Sequence, residues 1–214
     1  MLFSKQFTFN PFQENTYVLW NEEKSAVIID PGCFENEEKK QLQGFILDNQ
    51  LIPCAVWLTH THIDHILGLE FCVQEWTIPF FLHPQEESGY RATEIYAPNY
   101  GFHGFRLPDA NPAFFPDEGS IFLGLEEFEI RFVPGHCQGH VALYHKPSSQ
   151  IWAGDVLFRQ SIGRTDLPGG NFDVLANSIR QQLYSLPEET RVYPGHGPET
   201  TIGFEKKNNP FVRW

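Results

Sequence analysis

From Phe3 to Phe9 apolar and polar positions alternate, the two-residue period of a strand with one covered face, and an edge strand is expected there. Runs at 16–20 and 26–30 flank the polar turn Asn21-Glu-Glu-Lys24, and Asp30-Pro31-Gly32 stops the second sharply. Over Glu35–Asn49 the period becomes helical: Leu42, Phe45 and Ile46 share a face, and acidic residues crowd the first turn. Cys54–Leu58 is an unbroken apolar run and predicts a buried strand. Helical spacing resumes near Asp64 and runs through Phe71, with a short strand expected at 78–82. Residues 83–118 show little period and are rich in Pro, Gly, Asn and aromatics, so a long loop is expected, facing substrate. Strands follow near 121–123, 126–133, 140–145 and 150–154, then a helix over 172–186, a strand at 191–193 and a short helix near Gly203. Antiparallel-compatible runs separated by helices, in two halves, predict an α/β (α+β) fold. Two packed mixed β-sheets with outer helices would lie in one domain spanning 1–214.

The chemistry concentrates where apolar runs stop. Thr59-His-Thr-His-Ile-Asp-His65 places His60, His62, Asp64 and His65 within six positions, between a strand end and a helix start. Three later runs end alike: Phe132-Val-Pro-Gly-His136, Ile151-Trp-Ala-Gly-Asp155 and Arg191-Val-Tyr-Pro-Gly-His196. In each, a glycine that tolerates a tight turn precedes the His or Asp. A lone histidine is ordinarily a surface or core residue. Seven imidazoles and carboxylates at strand ends point instead to a site for divalent metals, with Zn²⁺, Fe²⁺ and Mn²⁺ all acceptable to such ligands.

Composition narrows the partners. The chain has 214 residues, is 41% hydrophobic and carries a formal net charge of −12. No Lys/Arg run exceeds two residues, whereas nucleic acid needs a basic stripe, so nucleic acid is not an expected partner. No apolar run approaches the roughly 20 residues of a membrane span, so no membrane partner is expected. Met1-Leu-Phe-Ser-Lys-Gln-Phe7 lacks the pattern of a signal peptide. Four cysteines without a Cys-x-x-Cys pair suit reduced thiols, with Cys54 and Cys72 expected to be buried. Both readings place the chain in the cytoplasm.

The run His60-x-His62-x-Asp64-His65 with His136, Asp155 and His196, together with Asp30-Pro31-Gly32, resembles the metallo-β-lactamase fold hydrolases over essentially the whole chain. Gly154-Asp-Val-Leu-Phe158, Ile162-Gly-Arg-Thr-Asp166 and Thr200-Thr-Ile-Gly-Phe-Glu-Lys206 with Asn209-Pro-Phe211 resemble the compact members of its glyoxalase II-like (hydroxyacylglutathione hydrolase-like) branch, which lack a C-terminal helical domain. The resemblance implies a four-layer αβ/βα sandwich. It also implies two divalent ions, most simply Zn: His60, His62 and His136 on one, Asp64, His65 and His196 on the other, with Asp155 bridging. At His136-Cys-Gln-Gly-His140 the chain has Cys137 and Gln138, where the family usually has Thr and Pro.

The implied activity is hydrolysis of a small-molecule thioester, of S-acylglutathione type, by a metal-bound hydroxide that Asp64 orients. A thiolate leaves readily and suits such a site, and no Ser or Cys nucleophile is needed. Arg164, Lys206 and Asn209 are candidate substrate contacts, and Asp30 and His140 are candidate partners orienting the ligands. Rival readings on the same residues are a mononuclear-iron persulfide dioxygenase and a lactonase or other ester hydrolase. The sequence leaves the oligomeric state open.

Overall fold

The computed structural model describes residues 1–116 and 119–213. Within it the chain forms two compact units, Met1–Phe115 with Leu123–Glu126, and Pro116–Phe122 with Glu127–Trp214.

The first unit grows one sheet in chain order. Its strands are β1 (Phe3–Phe9), β2 (Glu14–Trp20), β3 (Ser25–Ile29), β4 (Ile52–Trp57), β5 (Phe80–Leu82) and β6 (Ala113–Phe114), and neighbours in sequence are neighbours in space. β1, β2 and β3 pair antiparallel through short turns. From β3 onward the pairing is parallel, which demands a crossover for every strand. Helices supply them: α1 (Asn36–Asp48) between β3 and β4, α2 (Ile63–Ile66) and α3 (Leu69–Trp76) between β4 and β5, and α4 (Glu87–Tyr96) between β5 and β6. The predicted edge strand β1 is exposed except at Phe7 and Phe9, whereas β2 is buried along almost its whole length. α1 buries Leu42 and Ile46, and its start is held by Glu38, whose carboxylate accepts the backbone N–H groups of Phe34 and Glu35.

The second unit holds β7 (Gly119–Leu123), β8 (Glu126–Phe132), β9 (Val141–His145), β10 (Gln150–Gly154), the small hairpin β11 (Leu157–Phe158) and β12 (Ser161–Ile162), β13 (Arg191–Pro194) and β14 (Thr200–Thr201). Its main sheet runs β14-β13-β10-β9-β8-β7. β10 and β13 are parallel and joined by α5 (Phe172–Ser178) with a wider turn over Ile179–Leu183. α6 (Ile202–Asn208) follows β14. Leu175, Ile179 and Leu183, expected on one face, are all fully buried in this unit's core.

Three expectations change. Residues 83–118 are not one loop: a 3₁₀ turn at Pro84–Glu86, helix α4 and another 3₁₀ turn at Ala97–Tyr100 occupy its first half. The period was hidden because the covered positions of α4 are Tyr90 and Thr93, a phenol and a hydroxyl rather than aliphatic groups. The helix expected from Asp64 onward breaks at Leu67–Gly68, where a β-carbon on Gly68 would lie 2.4 Å from the Cys33 sulfur. Cys54 is exposed, not buried, because it lies in the uncovered first half of β4, where burial begins only at Ala55; Cys72 is buried.

Candidate metal centre

In the first unit the site starts from two adjacent parallel strands. Asp30 directly follows β3 and Thr59 stands two residues beyond β4, and the backbone N–H of Asp30 bonds the carbonyl of Trp57 at 3.2 Å. The turn after β3 is fixed by Thr16, whose hydroxyl accepts the N–H of Gly32 at 2.8 Å. Strand ends side by side put the Asp30 carboxylate against the loop that carries the histidines. Its Oδ1 accepts the Thr59 N–H at 2.7 Å, and its Oδ2 accepts the Thr59 hydroxyl at 2.5 Å and lies 3.1 Å from His65 Nδ1.

These contacts set the histidine tautomers. The single hydroxyl proton of Thr59 goes to Asp30, so the 3.1 Å contact between Thr59 Oγ1 and His60 Nδ1 has the ring donating. His65 Nδ1 likewise donates to Asp30. Both rings therefore present Nε2 as their lone-pair nitrogen. Their ring centres are 4.1 Å apart, and His62 lies 4.7 Å from His60. His65 Nε2 stands 3.6 Å from Asp64 Oδ2. Asp30, His60 and His65 are all buried, and each offers a ligand atom within 4.8 Å of the others. Behind them Glu14 is fully buried, and burial pushes its carboxyl well above the usual carboxylate range, against the pull of His65.

The second unit repeats the arrangement. β10 and β13 are parallel neighbours, and Asp155 and His196 follow their ends. β9 runs antiparallel to β10, so the β8–β9 loop carrying His136 reaches the same end of the sheet. Asp155 Oδ2 lies 3.7 Å from His136 Nε2 and 3.5 Å from His196 Nε2. The second nitrogen of His136 donates to the backbone carbonyl of Arg164 at 2.7 Å. His140 Nε2 accepts the backbone N–H of Asp155 at 3.0 Å and so fixes the residue that carries that carboxylate. Gly163 closes the turn over Asp155, where a β-carbon would fall 1.9 Å from the Asp155 carbonyl oxygen.

The donor set fits a cation. Two donors about 2.1 Å from one ion at a tetrahedral angle stand roughly 3.4 Å apart. The separations of 3.5, 3.6 and 3.7 Å are of that kind, and each lies beyond a good hydrogen bond.

A sequence profile described as the metallo-beta-lactamase superfamily matches residues 9–196. The chain belongs to the metallo-β-lactamase superfamily. It is 38% identical over 204 residues to a probable metallo-hydrolase, YqgX, of Bacillus subtilis, covering 94% of this chain and 93% of that protein. It is 36% identical over 212 residues to the hydroxyacylglutathione hydrolase GloC of Haemophilus influenzae, with 94% and 93% covered. Among solved structures, TTHA1623 in a di-iron-bound form superposes with a TM-score of 0.86 at 38% identity, covering 97% of this chain and 100% of that one. The expected fold is thus the superfamily's mixed α/β fold, and the chain is a metal-binding hydrolase of this superfamily. No helix among the described residues is long and apolar enough to cross a membrane.

Other sequence candidates land differently. Arg164 forms a two-pronged pair with Asp166 at 2.7 and 2.8 Å on the surface, and holds that carboxyl down at about 2. Asn209, expected to contact substrate, is buried instead. Its amide donates to the Ser161 carbonyl and to Glu205, and its oxygen accepts the N–H groups of Phe211 and Val212, so it closes the C-terminal turn. Lys206 sits half-buried in the last turn of α6.

The sequence reading missed Glu86. This buried carboxylate accepts both the N–H of Thr61, at 3.0 Å, and its hydroxyl, at 2.9 Å. Thr61 lies between His60 and His62, so Glu86 braces the loop from the far side. No motif marks it; the only clue was an acidic residue just after His83-Pro84 at the start of a helix.

Proposed function

We propose that the chain hydrolyses a small-molecule thioester with the help of two divalent ions. In this reading His60, His62 and His136 would hold one ion, Asp64, His65 and His196 would hold the other, and Asp155 would serve both. The observation that carries it is the tautomer set by the surrounding chain: His60, His65 and His136 each give Nδ1 to a neighbouring oxygen, which turns Nε2 into the ligating atom. Bound there, the ions would supply Lewis acidity and an acidified water at neutral pH.

The chain's own groups do the rest. Asp64, in the first turn of α2, is only partly covered and so accessible to accept a proton from an attacking water and orient it. Asp30 and Thr59 keep the rings from rotating when charge builds on them. Similarity to the hydroxyacylglutathione hydrolase GloC supports a thioester over an oxygen ester, as does the thiolate, which leaves more readily than an alkoxide and is a soft metal ligand.

Four measurements on purified protein test this: metal content, thioester hydrolysis with S-lactoylglutathione, lactone hydrolysis, and oxygen uptake with glutathione persulfide. About two ions per chain with thioester cleavage is the expected result. One iron per chain with oxygen uptake would replace it by the dioxygenase reading, and cleavage of lactones alone by the lactonase reading. The di-iron form of TTHA1623 makes iron a serious rival to zinc as the resident metal.

A further inference from the structure

The His60–His65 loop is held by two segments of its own unit. The turn after β1 bonds it through Asn10, whose amide donates to the carbonyls of Asp64 and Gly32, each at 3.0 Å. The start of α4 bonds it through Glu86, and Gly89 of α4 packs on Thr61, where a β-carbon would lie 3.4 Å from the hydroxyl. Both segments carry aromatic rings, and the rings meet. Phe12 lies 6.2 Å from Tyr100, edge-on, and 5.9 Å from Phe102. Tyr96 lies 5.9 Å from Tyr100, again edge-on. Phe102 is buried and rests on Phe34 at 5.0 Å, so the strip is rooted in the core. Its outer rings are open: Phe12 is 43% and Tyr100 53% exposed.

We infer that Phe12, Tyr96 and Tyr100 form the wall that receives the acyl group of the substrate, and that this group carries an aromatic ring. The inference rests on the thioesterase reading. Water-exposed rings grouped in one strip are uncommon without a ligand. Edge-to-face pairs leave ring faces open for a further ring, and aromatic pairs of this kind add to simple burial. The strip's polar groups are phenols, which suit a neutral ring better than a carboxylate. Tyr96 ties the strip to α4, the helix that bonds the loop: its phenol oxygen lies 3.2 Å from the hydroxyl of buried Thr93.

The test compares acetyl, lactoyl and phenylacetyl thioesters of glutathione on the metal-loaded full chain. The phenylacetyl ester should exceed the acetyl ester in kcat/KM by about tenfold. Tyr100→Ala and Phe12→Ala should each lower that ratio by about threefold or more. Tyr100→Phe should keep it, and so should Ile95→Ala, since Ile95, next to Tyr96 on α4, is 81% exposed and is no part of the strip. A wild-type ratio near one, or one that Tyr100→Ala leaves unchanged, overturns the inference. Should no thioester be turned over, the thioesterase reading falls, and the strip is then read by broadening of the phenylacetate ring signals in proton NMR. Broadening with wild type that weakens in Tyr100→Ala keeps an aromatic-acid site, and no broadening sinks it.

Discussion

Oδ2 of Asp30 lies 3.1 Å from Nδ1 of His65 and also takes the hydroxyl proton of Thr59, so one carboxylate decides which nitrogen two histidines present. Asp30→Asn should break this. An amide offers one oxygen where two were used, and its N–H opposes a ring N–H. Metal affinity should fall roughly 10- to 100-fold. Competition against a fluorescent chelator measures it, and an unchanged affinity would remove Asp30 from the ligand support.

Glu86 acts on the same loop through Thr61. Glu86→Ala leaves a buried N–H and hydroxyl unanswered and should weaken metal binding about tenfold. Glu86→Gln keeps an acceptor oxygen in place and should recover most of the loss. If both variants bind metal as wild type does, the brace is irrelevant to the ions.

Stripping metal with a chelator should abolish turnover and lower Tm. At a free metal concentration of about 100 Kd, binding adds ~2.7 kcal/mol, or roughly 5–10 °C for a chain of this size. Restoring either zinc or iron should recover Tm; recovery of turnover by only one of them identifies the working metal. A melting curve indifferent to chelator contradicts the proposed ligand set.

Gly163→Ala places a methyl group against the Asp155 carbonyl, 1.9 Å away before relaxation. The turn must shift, at about 1–3 kcal/mol, and Asp155 shifts with it. Scanning calorimetry should show a Tm lower by several degrees, and metal affinity should fall in parallel. A stability loss with unaltered affinity would mean that the turn moves without carrying the carboxylate.

Arg164→Ala should matter little, because His136 leans on the backbone carbonyl of residue 164 rather than on its side chain. The change in kcat/KM should stay under about threefold. The Asp166 carboxyl, held at about 2, lies below its ordinary 3.8, so its pairing contributes above that ordinary value and disappears as pH falls through about 2. The variant's effect should therefore be level between pH 6 and pH 9. A larger effect confined to the substrate's KM would reinstate Arg164 as a substrate contact.

The sequence disclosed most strands of the two sheets, though not the two-residue β6 and β14, because their covered positions form aliphatic or aromatic runs, as at Tyr17–Leu19 of β2 and Val141–Tyr144 of β9. The candidate ligands were legible for a related reason: each follows within a few residues of such a run. What stayed hidden depends on contacts distant in the chain. α4 covers Tyr90 and Thr93, so no aliphatic stripe announced it. Glu86 lies 25 residues from Thr61, and nothing local separates it from a solvated acid. Asn209 read as a binding residue from its motif alone, because its four bonds only exist once the last turn closes.

The coupling of Thr61 to Glu86 has a reach beyond the ions themselves. Occupancy of the loop would damp the breathing of the first turn of α4, and deuterium uptake at the amides of 88–92 would slow on loading although none of them is a ligand. A peptide from that helix would thus report ion uptake from a distance, in crude extracts as well as in pure samples, before any substrate is known.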